Sequence, residues 1–239
     1  MNAFPTDPTV RSLHSSVSGN ALRASVLGAN DGLVSSLSLV MGVAGAGLSS
    51  RTILITGVAG LLAGAGSMAM GEWISVQSSR ELHERELAVE RAEIADQPER
   101  ERQELVELYE RRRVPALDAR ELADVLMADQ DVALEVMARE ELGFDPDELG
   151  GSPWTAAGSS FALFVAGALV PVVPFALAPV GVAALISVAV SALALLALGA
   201  AITKVTKRPA LRSALRQLAI GLAAAALTYG TGLLLGTSL

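Results

Sequence analysis

The chain has no cysteine, which excludes disulfides, thiolate zinc sites, iron–sulfur clusters and cysteine nucleophiles. It has two histidines, His14 and His83, too few for a His-rich metal site. Aromatics are scarce, with two Trp and two Tyr, and only 18% of the 239 residues are charged. A soluble domain usually carries about 25% charged residues. There is no Gly-rich phosphate loop and no Ser-His-Asp grouping, so nothing points to a nucleotide-driven pump, a hydrolase or any other enzyme. The net charge of −7 argues against nucleic acid as a partner, because phosphates need a basic surface.

What the chain does have is apolar sequence in long runs, with 51% hydrophobic residues and 22 glycines. A spanning helix needs roughly 20 mostly apolar residues. Five such helices are expected, at about 24–48, 52–78, 155–177, 180–203 and 213–237. The uncharged stretch Gly151–Thr203 is too long for one span and suits two, broken near Pro171, Pro174 and Pro179. The length of the first run favours a retained helix over a cleaved signal peptide. Gly60 and Gly64 form a G-x-x-x-G in the second span, a device for close helix packing in lipid.

The charge is segregated. Between Glu72 and Glu148 lie 23 acids against 10 bases, net −13, and the rest of the chain is net +6. The acidic insert reads as helical. The second span continues as a polar helix to about Ile94, Pro98 opens a helix over 99–113, and a third follows Pro115. There Asp118 and Glu121 resemble a capping box, and Leu122, Val125 and Leu126 make the apolar stripe. A last helical turn starts near Asp129 or Asp131 and runs to a C-cap at Gly143.

The expected fold is thus an all-α integral membrane protein with five transmembrane helices and an acidic helical insert between the second and third. The expected domains are 1–78, 79–150 and 151–239. Lys204, Lys207, Arg208, Arg212 and Arg216 flank the fourth-to-fifth connection, and Arg11 and Arg23 precede the first span. By the positive-inside rule these flanks, the N-terminus and the insert face the cytoplasm. The absence of an organelle address suits a multi-pass protein of the cell membrane.

Asp31 is the one acid within a span, with Ser35 and Ser38 four and seven residues on. Intramembrane carboxylates are costly and mark ion paths, the alternative being a helix-end cap. Met68 offers a soft thioether near the end of the second span, and Glu72 stands at the membrane edge. In the insert, Glu86, Glu90 and Glu93 share one helix face, and Glu101 and Glu104 share a face of the next helix. Met137 and Glu141 are neighbours at i, i+4. Converging carboxylates repel unless a multivalent cation bridges them, and oxygen ligands suit Mn²⁺ or Fe²⁺. Spacing alone does not choose between such a site and a solvated face of Glu–Arg pairs.

At these residues the sequence resembles the vacuolar iron transporter family, which has bacterial members, from about Arg23 to the C-terminus. The resemblance rests on five spans, Asp31-Gly32-Leu33 in the first, Ser67-Met68 in the second, and the acidic helical insert. It implies a homodimeric, proton-coupled exporter of Fe²⁺ and related divalent metals from the cytosol. Mn²⁺, Zn²⁺ and Co²⁺ are further candidate substrates, and no permanently held cofactor is expected. It implies that Asp31 and Met68 line the path; Ser35, on the Asp31 helix face, and Glu72, at the membrane edge, are added to that path from their positions. It also implies that Glu90, Glu93, Glu101, Glu104, Met137 and Glu141 capture the metal. Two positions depart from plant members: Ala138 stands where they have a second Met, and Gly60 where they have a Glu. The other expected partners are the lipid bilayer, divalent metal ions and protons. The alternative function is a membrane-anchored metal sensor or interaction protein without transport; a five-span bundle with an intramembrane acid is more than an anchor needs.

Overall fold

A computed structural model of the chain describes residues 28–147, 149, 151–206 and 209–237, without the side chains of 204–206. The expected basic flanks at Arg11, Arg23, Lys207 and Arg208 lie outside the described residues, as does the side chain of Lys204. The described residues contain helices and no strand. In order these are α1 (28–45), α2 (Ser50–Asp96), α3 (Pro98–Arg111), α4 (Ala116–Leu126), α5 (Gln130–Met137), a π-helical turn (Ala138–Leu142), α6 (Pro153–Val172), α7 (Pro174–Leu177), α8 (Val180–Thr206) and α9 (Ala210–Gly236). Among the described residues, four helices are long and apolar enough to cross a membrane: Ser50–Asp96, Pro153–Val172, Val180–Thr203 and Ala210–Gly236. The chain forms two compact units, one of the residues up to Glu72 with those from Ala157 on, the other Trp73–Ala156.

In the first unit, apolar side chains line both the interior and the surface. Leu37 and Met41 of α1 pack with Val188 of α8 and Ala225 of α9. Val40, Ile53, Val172 and Phe175 form a second cluster. Leu185, Leu193, Leu227 and Leu234 stay largely exposed, which is unfavourable in water and natural against acyl chains. Close backbone approach holds the helices together. A Cβ at Gly32 would collide with the Phe164 carbonyl, and one at Gly232 with the Gly42 carbonyl, so α1 touches both α6 and α9 backbone to backbone. The Gly60/Gly64 pair is used inside the chain: Leu39 covers Gly60 and the Phe164 ring covers Gly64.

The expected third span ends earlier than 177. Pro174 has no N–H to give the Val170 carbonyl, so α6 stops at Val172 and the short α7 follows before Pro179. Pro171 lies inside α6, and its carbonyl accepts the buried Ser187 hydroxyl of α8 at 2.8 Å.

In the second unit, Ile94, Leu105, Val106, Ala119, Ala123, Ala133, Leu134 and Met137 make the core. The expected capping box at Asp118 is absent. Pro115 is the N-cap, no side chain caps the helix, and Asp118 sits within its first turn. Of the expected stripe, Leu126 packs against the core, whereas Leu122 and Val125 are exposed, Val125 at 71%, and Ala119 and Ala123 are the buried residues of the helix. Small residues at Ala119 and Ala123 let α4 lie close to its neighbours. α3 ends at Arg111, short of 113, because Arg113 takes a left-handed conformation (φ 70°). Asp129 caps α5 by accepting from the N–H groups of Asp131 at 2.9 Å and Val132 at 3.4 Å. Gly143, at φ 79°, ends the π-helical turn.

Candidate metal centre and membrane pocket

Three elements each bring one carboxylate to a common point in the second unit: Glu90 from α2, Glu101 from α3 and Glu141 from the π-helical turn. One carboxylate oxygen of each lies within 4.8 Å of the others. Glu90 is 3% exposed and Glu101 2%, while Glu141 is exposed as a residue with its carboxylate turned toward the pair. Buried carboxylates are normally hydrogen-bonded. Here the Oε1 of Glu90 is buried with no hydrogen-bond partner.

The local field matches this crowding. Burial, then the charges of Glu141, Glu101, Glu93 and Glu104, push the Glu90 carboxyl from its ordinary 4.5 to about 7. Burial, followed by Glu104 and Glu93, raises Glu101, against a lowering by Arg100. Glu141 is raised too, first by partial burial of its carboxyl, then by Glu104, Glu101 and Glu93. Two carboxylates at such separations repel by roughly 1–3 kcal/mol with near-surface screening. A divalent cation at this point would reverse that sign and give Glu90 Oε1 a partner.

Of the six expected metal residues, Glu90, Glu101 and Glu141 converge directly. Glu93 and Glu104 are half-buried and act on the trio through their charge. Met137 is fully buried in the apolar core, beside the buried Ala138.

The first unit holds a cavity of about 310 Å³, lined by Asp31, Ser35, Ser36, Leu39, Gly60, Gly64, Ser67, Met68 and Phe164. Asp31, Ser35 and Met68 of the expected path thus share one space; Glu72 is not among its lining residues. Ser38, expected on the Asp31 face, does not line it, and Ser36 and Leu39 do. At about 100° per residue, Ser35 and Leu39 fall to one side of Asp31 on the helical wheel and Ser38 to the other. The Ser35 hydroxyl donates to the Asp31 carbonyl at 2.5 Å, which leaves its oxygen lone pairs free to face a cation. Beside Asp31, Asn30 accepts a hydrogen bond from Gln217, tying α1 to α9. The cavity therefore offers one carboxylate, three hydroxyls and one thioether, with Phe164 as its aromatic wall. Ser36, Ser67 and Phe164 were not expected from sequence. Ser67 was legible as the i−1 neighbour of Met68, whereas Phe164 comes from a helix about 100 residues away and had no local signal.

The model of the VIT family matches residues 22–233. The chain is 41% identical over 162 residues to a protein of Acanthamoeba castellanii named vacuolar iron transporter, covering 67% of this chain and 58% of that one. It is 33% identical over 220 residues to vacuolar iron transporter homolog 3 of Arabidopsis thaliana, covering 90% and 84%. Vacuolar iron transporter 1 of Eucalyptus grandis matches at 31% over 160 residues, with 66% and 63% covered. The chain spans about three-fifths of the length of the Acanthamoeba and Eucalyptus relatives.

Proposed function

Since the chain belongs to the VIT family, we propose that it exports Fe²⁺, and Mn²⁺ as a second substrate, from the cytosol across the cell membrane in exchange for protons. The reading takes five spans, with the helix over 28–45 as the first, and the insert 79–150 as a cytosolic metal-binding domain between the membrane parts 1–78 and 151–239. The observation that carries it is the unpartnered, buried Glu90 oxygen within 4.8 Å of Glu101 and Glu141 oxygens. A carboxylate buried among like charges is accommodated by a proton or by a cation, and a divalent cation answers all three carboxylates at once.

In this account the insert concentrates the metal. Glu90, its carboxyl pushed up to about 7 by burial and by its acidic neighbours, releases its proton as metal arrives. Asp31 then supplies the anionic contact within the membrane, Ser35, Ser36 and Ser67 supply neutral oxygens, and Met68 biases the site toward transition metals over Mg²⁺ and Ca²⁺. Protons moving the other way along the same path provide the exchange. Glu72 is a further acid at the cytosolic edge. Assembly as a homodimer is part of the proposal and rests on the family resemblance. The Gly60/Gly64 face does not support it, since Leu39 and Phe164 already cover that face.

Calorimetric titration of the purified chain with Mn²⁺ tests the carrying observation. The parent is expected to bind, and the combined Glu90→Gln, Glu101→Gln, Glu141→Gln variant is expected to lose that binding. Equal binding by both would reduce the trio to an acidic surface.

A further inference from the structure

The chain's only two tryptophans, Trp73 of α2 and Trp154 of α6, are 81 positions apart and used by neither site above. Their rings nevertheless meet edge to face, with centroids 5.8 Å apart and planes at 60°. Each stands where an uncharged run meets polar chain. Thr52–Gly71 carries no charge, Glu72 is the first acid after it, and Trp73 follows. On the other side the uncharged run Gly151–Thr203 opens three positions before Trp154, just past Asp145, Asp147 and Glu148.

The two rings differ in exposure. Trp154 is 76% exposed, and Ile74, next to Trp73, is 55% exposed. Trp73 is half-buried, and its indole nitrogen is covered. An indole that open is costly in water. The boundary between headgroups and acyl chains suits it, because the ring enters apolar surroundings while the N–H keeps polar oxygens in reach. The occupant is argued from continuity: each tryptophan stands at one end of the apolar run of a helix that is long and apolar enough to span a bilayer, Trp73 midway along α2 and Trp154 at the start of α6.

We infer that Trp154 sits in the headgroup–carbonyl layer of a phospholipid bilayer and, through its contact with Trp73, pins the exit of α2 and the start of α6 at one depth. The inference rests on the reading of α2 and α6 as membrane spans. It gives the acidic insert a fixed starting level, and it gives Trp154 a lipid contact that nothing in metal handling requires.

The chain's own fluorescence tests this, because no other tryptophan contributes. The full-length protein is reconstituted into phosphatidylcholine vesicles brominated near the carbonyl end, at mid-chain or near the methyl end of the acyl chains. Flotation with the vesicles is checked first. Failure to float would overturn the spanning reading itself and the clamp with it. For floating protein, carbonyl-end bromines are expected to quench about twofold more than methyl-end bromines, as befits the interface. Trp154→Phe should abolish most of that difference, and Trp73→Phe should preserve it. Strongest quenching by the methyl-end bromines places the ring in the hydrocarbon and overturns the clamp. Quenching by aqueous iodide alone places it in water, and silence to every quencher means that protein covers it; either result overturns the clamp while leaving the spans intact.

Discussion

Replacing Glu90 by Gln keeps the side chain's shape and removes its charge, and the consequence can be worked from the pKa. The folded carboxyl holds its proton up to about pH 7, whereas the unfolded one loses it near 4.5. Between those values the native state binds more protons than the unfolded state. This contribution to stability is therefore fully present below pH 4.5, is lost as pH rises toward 7, and stays lost above it. A shift of this size corresponds to about 3 kcal/mol, at 1.36 kcal/mol per unit. Glu90→Gln should accordingly make the metal-free insert more stable at pH 8, by up to about 3 kcal/mol, and should change little at pH 4.5. Amide hydrogen exchange across 73–156 of the full-length protein reads this as slower exchange, by up to about two orders of magnitude, once intrinsic rates are corrected for pH. Saturating Mn²⁺ should then protect the parent at pH 8, by about 2.7 kcal/mol at a hundredfold excess over Kd, and the variant far less. A variant equally destabilised at both pH values would refute the reasoning, as would equal Mn²⁺ protection of parent and variant. Either result would make Glu90 a packing residue.

Other substitutions probe the membrane unit. Asp31→Asn is expected to eliminate metal uptake into vesicles while leaving Mn²⁺ binding by the insert intact, checked by radiotracer uptake and calorimetry on the same preparation. Met68→Ala should slow uptake several-fold and let Mg²⁺ compete, measured as Fe²⁺ flux with and without excess Mg²⁺. Gly32→Ala forces a Cβ onto the Phe164 carbonyl and should cost about 1–3 kcal/mol, seen as a lower thermal midpoint in detergent; Gly66→Ala, where a Cβ meets nothing, should not lower it.

The membrane helices were readable because lipid imposes a crude rule: long runs without charge become spans, and Thr52–Gly71 and Gly151–Thr203 obey it. The carboxylate cluster was half readable. Helical spacing put Glu90 with Glu93 and Glu101 with Glu104, but spacing carries no information on burial. The convergence of Glu90, Glu101 and Glu141 depends on how three elements pack. The same limit hid the α4 face. Leu122 and Val125 are the more hydrophobic residues, yet Ala119 and Ala123 are buried because the site demands small volume rather than apolarity. Ser36 and Phe164 entered the pocket through tertiary contact, and the Trp73–Trp154 pair spans 81 positions, so no local pattern announced either.

The central claim is coupled transport, and one measurement addresses it directly. Vesicles carrying the protein, with a pH-sensitive dye in the lumen, receive Fe²⁺ under reducing conditions while luminal iron and pH are followed together. The account predicts that iron accumulates and the lumen turns alkaline in step, and that Asp31→Asn vesicles show neither change. Accumulation of iron no greater than in empty vesicles, by protein that still binds Mn²⁺, would contradict it.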